Sequence, residues 1–201
     1  MEIITLVMLI VIGISLLKSH EQRQRIALLG SRLGNYQIEK LMESLTEGYL
    51  RCLGESDRER RAQIWILLDQ TEQKLSAQFG GFASDFARLD EVEARVSRLP
   101  LGVPYAVRLL PAIAFDMRRV FAVHARGIAT VMRNDAQRSA RDKAFMMSAE
   151  LFLMQHSCHW FCRSKMVASA RMMARHQTSY QQLVDAVSPE TRSAYLALVA
   201  R

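Results

Sequence analysis

The feature that most constrains this chain is its beginning. From Ile3 to Leu17 the sequence is an apolar run relieved only by Thr5, Gly13 and Ser15, and Glu2 is the one ionisable side chain ahead of Lys18. As a helix the first seventeen residues rise about 25 Å, the lower limit for a hydrocarbon core of about 30 Å, so the helix must stand nearly upright or borrow residues beyond Lys18. A cleaved signal sequence would carry a basic region ahead of the run and small residues at its end. This run has no Lys or Arg before it and closes on Leu16-Leu17-Lys18-Ser19. Residues 1–18 are therefore expected to be a single-pass transmembrane anchor. Lys18, Arg23, Arg25 and Arg32 all come after the run, which by the positive-inside rule expects the remainder on the cytoplasmic side. The alternative, an apolar helix buried in a soluble domain, arises from the shortness of the run.

Composition bounds the rest of the chain. With 201 residues, 50% of them hydrophobic, 23% charged and four of them proline, it can bury a real core and is not a disordered segment. Three cysteines and nine glycines exclude a disulfide-stapled scaffold and a collagenous chain. The net charge of +7 is carried by 22 arginines and 5 lysines and is unevenly spread. Lys18 to Pro100 holds 13 basic and 13 acidic residues, whereas Leu101 to Arg201 holds 14 and 6, so an anionic partner is expected on the second half.

Apolar periodicity predicts helices throughout. Ile38, Leu41, Met42, Leu45, Tyr49, Cys52 and Leu53 form one stripe ending at Gly54. Ser56 and Glu59 have capping-box spacing for a next helix, through Ile64, Trp65, Leu68 and Leu75 to Phe79, with Gly80-Gly81 as its stop. A further helix is read from Ser84 to Leu99, after which Pro100, Gly102 and Pro104 break the pattern. Beyond them a long hairpin is expected, with helices over Pro104 to Arg133 and Ser139 to Arg175 and a polar turn at Asn134 to Arg138. Short terminal helices complete the chain, one started by Ser188-Pro189-Glu190. No segment alternates like a strand. The expected fold is all-α: one N-terminal transmembrane helix, then a multi-helix bundle with a long C-terminal helical hairpin. Its segments are an anchor (1–18), an amphipathic helical region (19–100), and a basic hairpin with terminal helices (101–201).

Three sets of residues are candidates for function. On the first hairpin helix Leu110, Ile113, Met117, Val120, Phe121, Ile128 and Val131 share a face, and Arg108, Arg119, Arg126 and Arg133 lie within about 40° of one line on the opposite face. Such a row, about 37 Å long, can grip carboxylate or phosphate oxygens, although Pro111 can kink the helix and throw Arg108 out of phase. His124 lies on the apolar face, and an antiparallel register centred near Gln137 sets it opposite Glu150 as a buried polar pair. In the second helix Cys158, His159 and Cys162 span about 100° of the wheel and carry the donors zinc prefers. Cys158 and Cys162 lie, however, in an apolar stripe with Ala144, Met147, Leu151 and Met154, where thiols pack as small hydrophobes. No Gly-rich phosphate loop, His-Glu-x-x-His or Gly-x-Ser-x-Gly occurs, so no catalytic residue and no cofactor is assigned from the sequence. Beyond Phe115 no aromatic residues interleave with the arginines, and no zinc-finger or ribonucleoprotein-type motif occurs, so nucleic acid is not the expected partner. The expectation is a membrane-tethered helical interaction or accessory protein that recruits or stabilises an acidic protein or membrane complex. Its arginine stripe would meet an acidic surface or anionic lipid. A metal-binding or redox protein using Cys158, His159 and Cys162 is the alternative.

Overall fold

The apolar run is the first half of one continuous helix, α1 (Glu2–Leu33), in a computed structural model that describes residues 2–200. Met1 and Arg201, the outer ends of the first and last segments read from the sequence, lie outside the described residues. By length and composition α1 is a helix able to cross a membrane, and the side chains from Ile3 to Ile12 are all exposed. Its second half does the opposite and docks on the domain. Arg25 pairs with Glu21 at 3.1 Å, its guanidinium lies 5.4 Å from the Phe161 ring centroid, and Leu29 is buried. The two halves of the helix thus differ: the apolar run is exposed, whereas the half after Lys18 packs on the domain through Arg25 and Leu29.

The amphipathic stripe predicted after it forms α2 (Ile38–Gly54), which buries Ile38, Met42, Leu45, Tyr49 and Cys52. The next helix, α3 (Arg58–Phe86), is capped one residue later than expected. Asp57 Oδ1 accepts from Glu59 N at 2.9 Å and Arg60 N at 3.0 Å, satisfying two of the orphan amides of the first turn. Gly80-Gly81 does not stop this helix. Phe79, Phe82, Ala83 and Phe86 are buried on either side of the pair, which outweighs a helix-propensity loss of about 1 kcal/mol per glycine. At Gly81 the missing Cβ also has a use, since it would stand 3.0 Å from Cε1 of the Tyr36 ring.

The helix expected over Ser84 to Leu99 is therefore replaced. The chain makes a short turn, α4 (Glu91–Ala94), capped by Asp90, and then a strand, β1 (Arg95–Ser97). A second strand, β2 (Ala114–Asp116), pairs with it antiparallel, so that Arg95 faces Asp116 and Val96 faces Phe115. No alternation in the sequence predicts this two-stranded ribbon. The helix expected from Pro104 is likewise broken into α5 (Ala106–Leu109), a single 3-10 turn (Pro111–Ile113), β2, and only then α6 (Met117–Arg133). Tyr105 adopts φ 54°, outside the helical region, and Pro111 has no N–H to give. The second hairpin helix is also divided, into α7 (Ala140–Cys162) and α8 (Lys165–His176). Ser164 caps α8 through Val167 N, and Met166 N donates to Pro100 O at 3.1 Å, which turns the chain at Arg163. The terminal helices are α9 (Tyr180–Ala186) and α10 (Pro189–Val199), the latter starting on the predicted Ser188-Pro189-Glu190.

The fold is all-α apart from that ribbon, with α6 and α7 antiparallel at its centre. Phe82, Phe86, Phe121 and Phe161 pack edge to face and tilted with centroids 4.8–5.7 Å apart, joining α3, α6 and α7. One connected core extends from Leu29 to Val199 and draws side chains from both sides of Pro100. Buried charge fixes α2, α3 and α7 against each other. Glu72 accepts from the Tyr49 hydroxyl at 2.5 Å and is ion-paired with Lys143 Nζ at 2.6 Å, while Lys143 also reaches Asp69 at 2.8 Å.

Candidate functional site

Arg119 and Arg126 lie seven residues apart on α6, two turns, so they point the same way from its exposed face. They line one groove of about 780 Å³ between α6, the β-ribbon and α10. Arg95 and Arg98 enter the same groove from β1 and the residue after it, and Ala194, Ala197 and Leu198 of α10 form its far wall. Two of these three are alanines, which leaves the arginines room to reach a bound chain.

The charge in the groove is not cancelled. Its two acids are already engaged: Glu91 by Arg95 at 2.5 Å, and Asp116 by Arg118, whose Nε and Nη2 reach its carboxylate at 3.0 and 2.8 Å. Asp116 is held across the ribbon from Arg95, and its carboxylate also caps α6 by accepting from Arg118 N at 2.9 Å. Among the described residues the Arg98 guanidinium donates only to neutral carbonyls, of Ala112 at 3.2 Å and Leu198 at 3.1 Å, and it lies 5.9 Å from the Phe115 ring. Those two bonds keep its charge while tying the end of α10 to the ribbon. Arg119 and Arg126 make no ion pair among the described residues. Among the described residues, three guanidinium groups therefore face the groove without a carboxylate of their own.

The predicted arginine row is corrected at both ends. Arg108 is not on α6 but on α5, where it lies 5.3 Å over the Tyr105 ring, because Tyr105 and Pro111 interrupt the helix. Arg133, in the last turn of α6, is turned to Asp135 at 3.3 Å and lies outside the groove. The central pair stays on one face, and the ribbon adds Arg95 and Arg98, which three-residue strands gave no periodicity to reveal.

The buried polar residues are also redistributed. His124 and Glu150 are both fully buried, but they are not each other's partners among the described residues. His124 Nε2 lies 2.8 Å from Ser157 Oγ, and the Ser157 hydroxyl donates to Leu153 O at 3.1 Å, which leaves the imidazole N–H as the donor to serine. Burial, with His156 nearby, lowers the His124 pKa to about 3, so the ring is neutral. A serine whose proton is given to a backbone carbonyl is not activated as a nucleophile by this histidine. Glu150 sits one turn away opposite Gly127, where an added Cβ would be 2.5 Å from Oε2 and in collision with Thr191 Oγ1. Only glycine leaves space for the carboxyl there, so Gly127 rather than His124 is the α6 residue against Glu150. Glu150 Oε1 accepts from Ser188 N at 3.2 Å, under the N-terminus of α10. Burial raises its pKa, partly offset by the Thr191 and Ser188 contacts. Glu150 therefore positions α10, and with it one wall of the groove.

The cysteine cluster stays dispersed. Cys158 Sγ contacts Met154 Sδ at 3.8 Å, and His159 Nδ1 faces the Arg171 guanidinium at 3.2 Å. Burial pushes the Cys158 thiol pKa up and that of Cys162 to about 11, and lowers His159 to about 4. Among the described residues no three His, Cys, Asp or Glu side chains converge as a metal ion would need. His156, not singled out from the sequence, is buried against Tyr180 and bonded to Ser169 at 3.1 Å, with its pKa lowered to about 3 by burial and by Lys165.

No model of a known protein family matches this chain, and neither a curated protein nor a solved structure matches it significantly. The groove must be interpreted from its own chemistry.

Proposed function

We propose that this protein is a membrane-tethered helical interaction module whose groove takes an acidic segment of a partner protein at the cytoplasmic face. The observation that carries the reading is the groove itself: Arg98, Arg119 and Arg126, uncompensated among the described residues, around an α10 wall of Ala194, Ala197 and Leu198. Guanidinium forks match carboxylates, and a groove of this size admits an extended acidic peptide. The tether is α1. Lys18, Arg23, Arg25 and Arg32 favour the domain's side as cytoplasmic, and the docking of Lys18 to Leu33 on the domain holds it close to the bilayer.

The test uses full-length protein in nanodiscs of zwitterionic lipid and a fluorescent Glu-rich peptide. Anisotropy should report salt-sensitive binding, lost in Arg119→Gln/Arg126→Gln without a change in melting temperature, because exposed charges contribute little to stability. Binding that ignores both salt and the substitutions overturns the reading. So does the absence of peptide binding together with Arg119- and Arg126-dependent binding to anionic vesicles. The tether is checked separately: the full chain should resist carbonate extraction, and a protease added from the cytoplasmic side should digest the domain.

A further inference from the structure

Residues 101–110 carry four large apolar side chains that no other part of the chain covers: Leu101 is 56% exposed, Val103 49%, Leu109 76% and Leu110 58%. A loop with this much exposed apolar surface in ten residues is unusual for a solvated segment, where such side chains occur singly. Its position explains it. Tyr105 N donates to Glu21 Oε2 at 2.8 Å, and at Gly102 an added Cβ would stand 3.4 Å from Lys18 Cε. Only a small cavity of about 40 Å³ separates this loop from the Lys18 to Arg25 stretch of α1. The loop is thus fastened to α1 within the first turn after Leu17, and Glu21 lies only about 6 Å along the axis from the end of the apolar run. Leu101 and Val103 flank the glycine that lies beside Lys18, so they are at the level where the run ends.

We infer that the 101–110 loop is a second membrane contact, a wedge that inserts its leucine and valine side chains into the interfacial region of the leaflet α1 enters. The inference rests on the reading of α1 as a membrane span. The occupant is lipid because the loop is continuous with that span. The polar groups around it suit a headgroup layer: Tyr105 is an amphipathic ring with Arg108 stacked over it, while Lys18 and Arg163 stand alongside, Arg163 holding Gln22 at 3.0 Å. Such a second contact adds to the single helix a second point of attachment. It fixes the tilt of the domain, and with it the direction in which the basic groove opens.

The experiment places an indole at each level of the full-length protein in nanodiscs, using Leu101→Trp for the wedge, Leu9→Trp for the span and Asn35→Trp beyond the far end of α1. Emission of Trp65 and Trp160, present in all of them, is removed by subtracting the parent protein. With phosphatidylcholine brominated near the top of the acyl chain, the signal added by Leu101→Trp should be blue-shifted and quenched. The signal added by Leu9→Trp should be quenched by lipid brominated deeper in the chain, and that of Asn35→Trp should be unaffected by either. Quenching at Leu9→Trp without quenching at Leu101→Trp overturns the wedge and leaves the span standing. A blue shift at Leu101→Trp without bromine quenching means that protein, not lipid, covers the loop, and overturns it too. No quenching at Leu9→Trp overturns the span, and the wedge with it.

Discussion

Gly127→Ala should be among the most damaging single-methyl changes in this protein, and the reason is local. Gly127 lies mid-helix in α6, where alanine is normally favoured by about 1 kcal/mol. Here the new Cβ would collide with Thr191 Oγ1 and stand 2.5 Å from Glu150 Oε2. Neither neighbour can give way freely, since Thr191 lies in the first turn of α10 and Glu150 is held by Ser188 N. Overpacking of this kind costs about 1–3 kcal/mol, and pulling the buried carboxyl off its amide adds about 1–3 kcal/mol. Set against the propensity gain, the net loss is about 3 kcal/mol, which for a domain of this size lowers the melting temperature by about 6–12 °C. Gly80→Ala supplies the control. It is also helical, but nothing lies within 4 Å of its added Cβ, so it should raise the melting temperature by about 2–4 °C. Thermal unfolding of the detergent-solubilised chain, followed by circular dichroism, reads both. If Gly127→Ala melts within a degree or two of the parent, the account of Glu150 and α10 is wrong. If it is destabilised but binds the acidic peptide unchanged, α10 does not form the wall of the groove.

Acid should weaken the fold before it reaches the carboxylate range. His124 and His156 have folded pKa values lowered to about 3, so each adds stability that is complete above the unfolded value near 6.5 and is lost as pH falls toward 3. Each unfolded ring is half protonated at pH 6.5 and the slope approaches about 1.4 kcal/mol per pH unit only below it, so going from pH 6.5 to 5 should remove about 3 kcal/mol from the two together, measured as urea stability against pH. Glu150, whose pKa is raised, acts oppositely: its contribution is present below the unfolded value and lost as pH rises through the folded one. A stability profile flat from pH 7 to 5 would refute the assignment of neutral, buried rings. In the buried ion cluster, Lys143→Ala leaves Glu72 without its cation and should cost about 3 kcal/mol or more, whereas Lys143→Met/Glu72→Met should be far milder. Equal melting temperatures for the two variants would show that Glu72 is not held by Lys143.

Much of the fold was legible because long helices repeat their signal. The apolar run of α1, the stripe from Ile38 to Cys52 and the face through Val120, Ile128 and Val131 each extend over several turns and each is helical, and Ile38, Met42, Leu45, Tyr49 and Cys52 of the stripe, like Val120, Ile128 and Val131, are buried. The errors fall where the decision is made in three-dimensional contact. Gly80-Gly81 looks like a stop in one dimension, but the phenylalanines around it are buried against α6 and α7 and carry the helix through. Arg163-Ser164 looks like helix interior, yet the chain breaks there, with Pro100 O accepting from Met166 N. Strands of three residues, such as Arg95–Ser97, are too short to alternate, and they are made by pairing with a segment about twenty residues away.

The same division runs through the site. Arg119 and Arg126 were visible because both are on one helix, seven residues apart, and a wheel suffices to align them. Arg98 was not, because what makes it part of the groove is a pair of carbonyls contributed by residues 14 and 100 positions away. Nor was Gly127, whose role exists only once Glu150 and Thr191 are brought against it. A wheel reports which side chains one helix presents together. It does not report which neighbouring backbone atoms hold an arginine without neutralising it, and in this groove that arrangement keeps Arg98 available as the third charge beside Arg119 and Arg126.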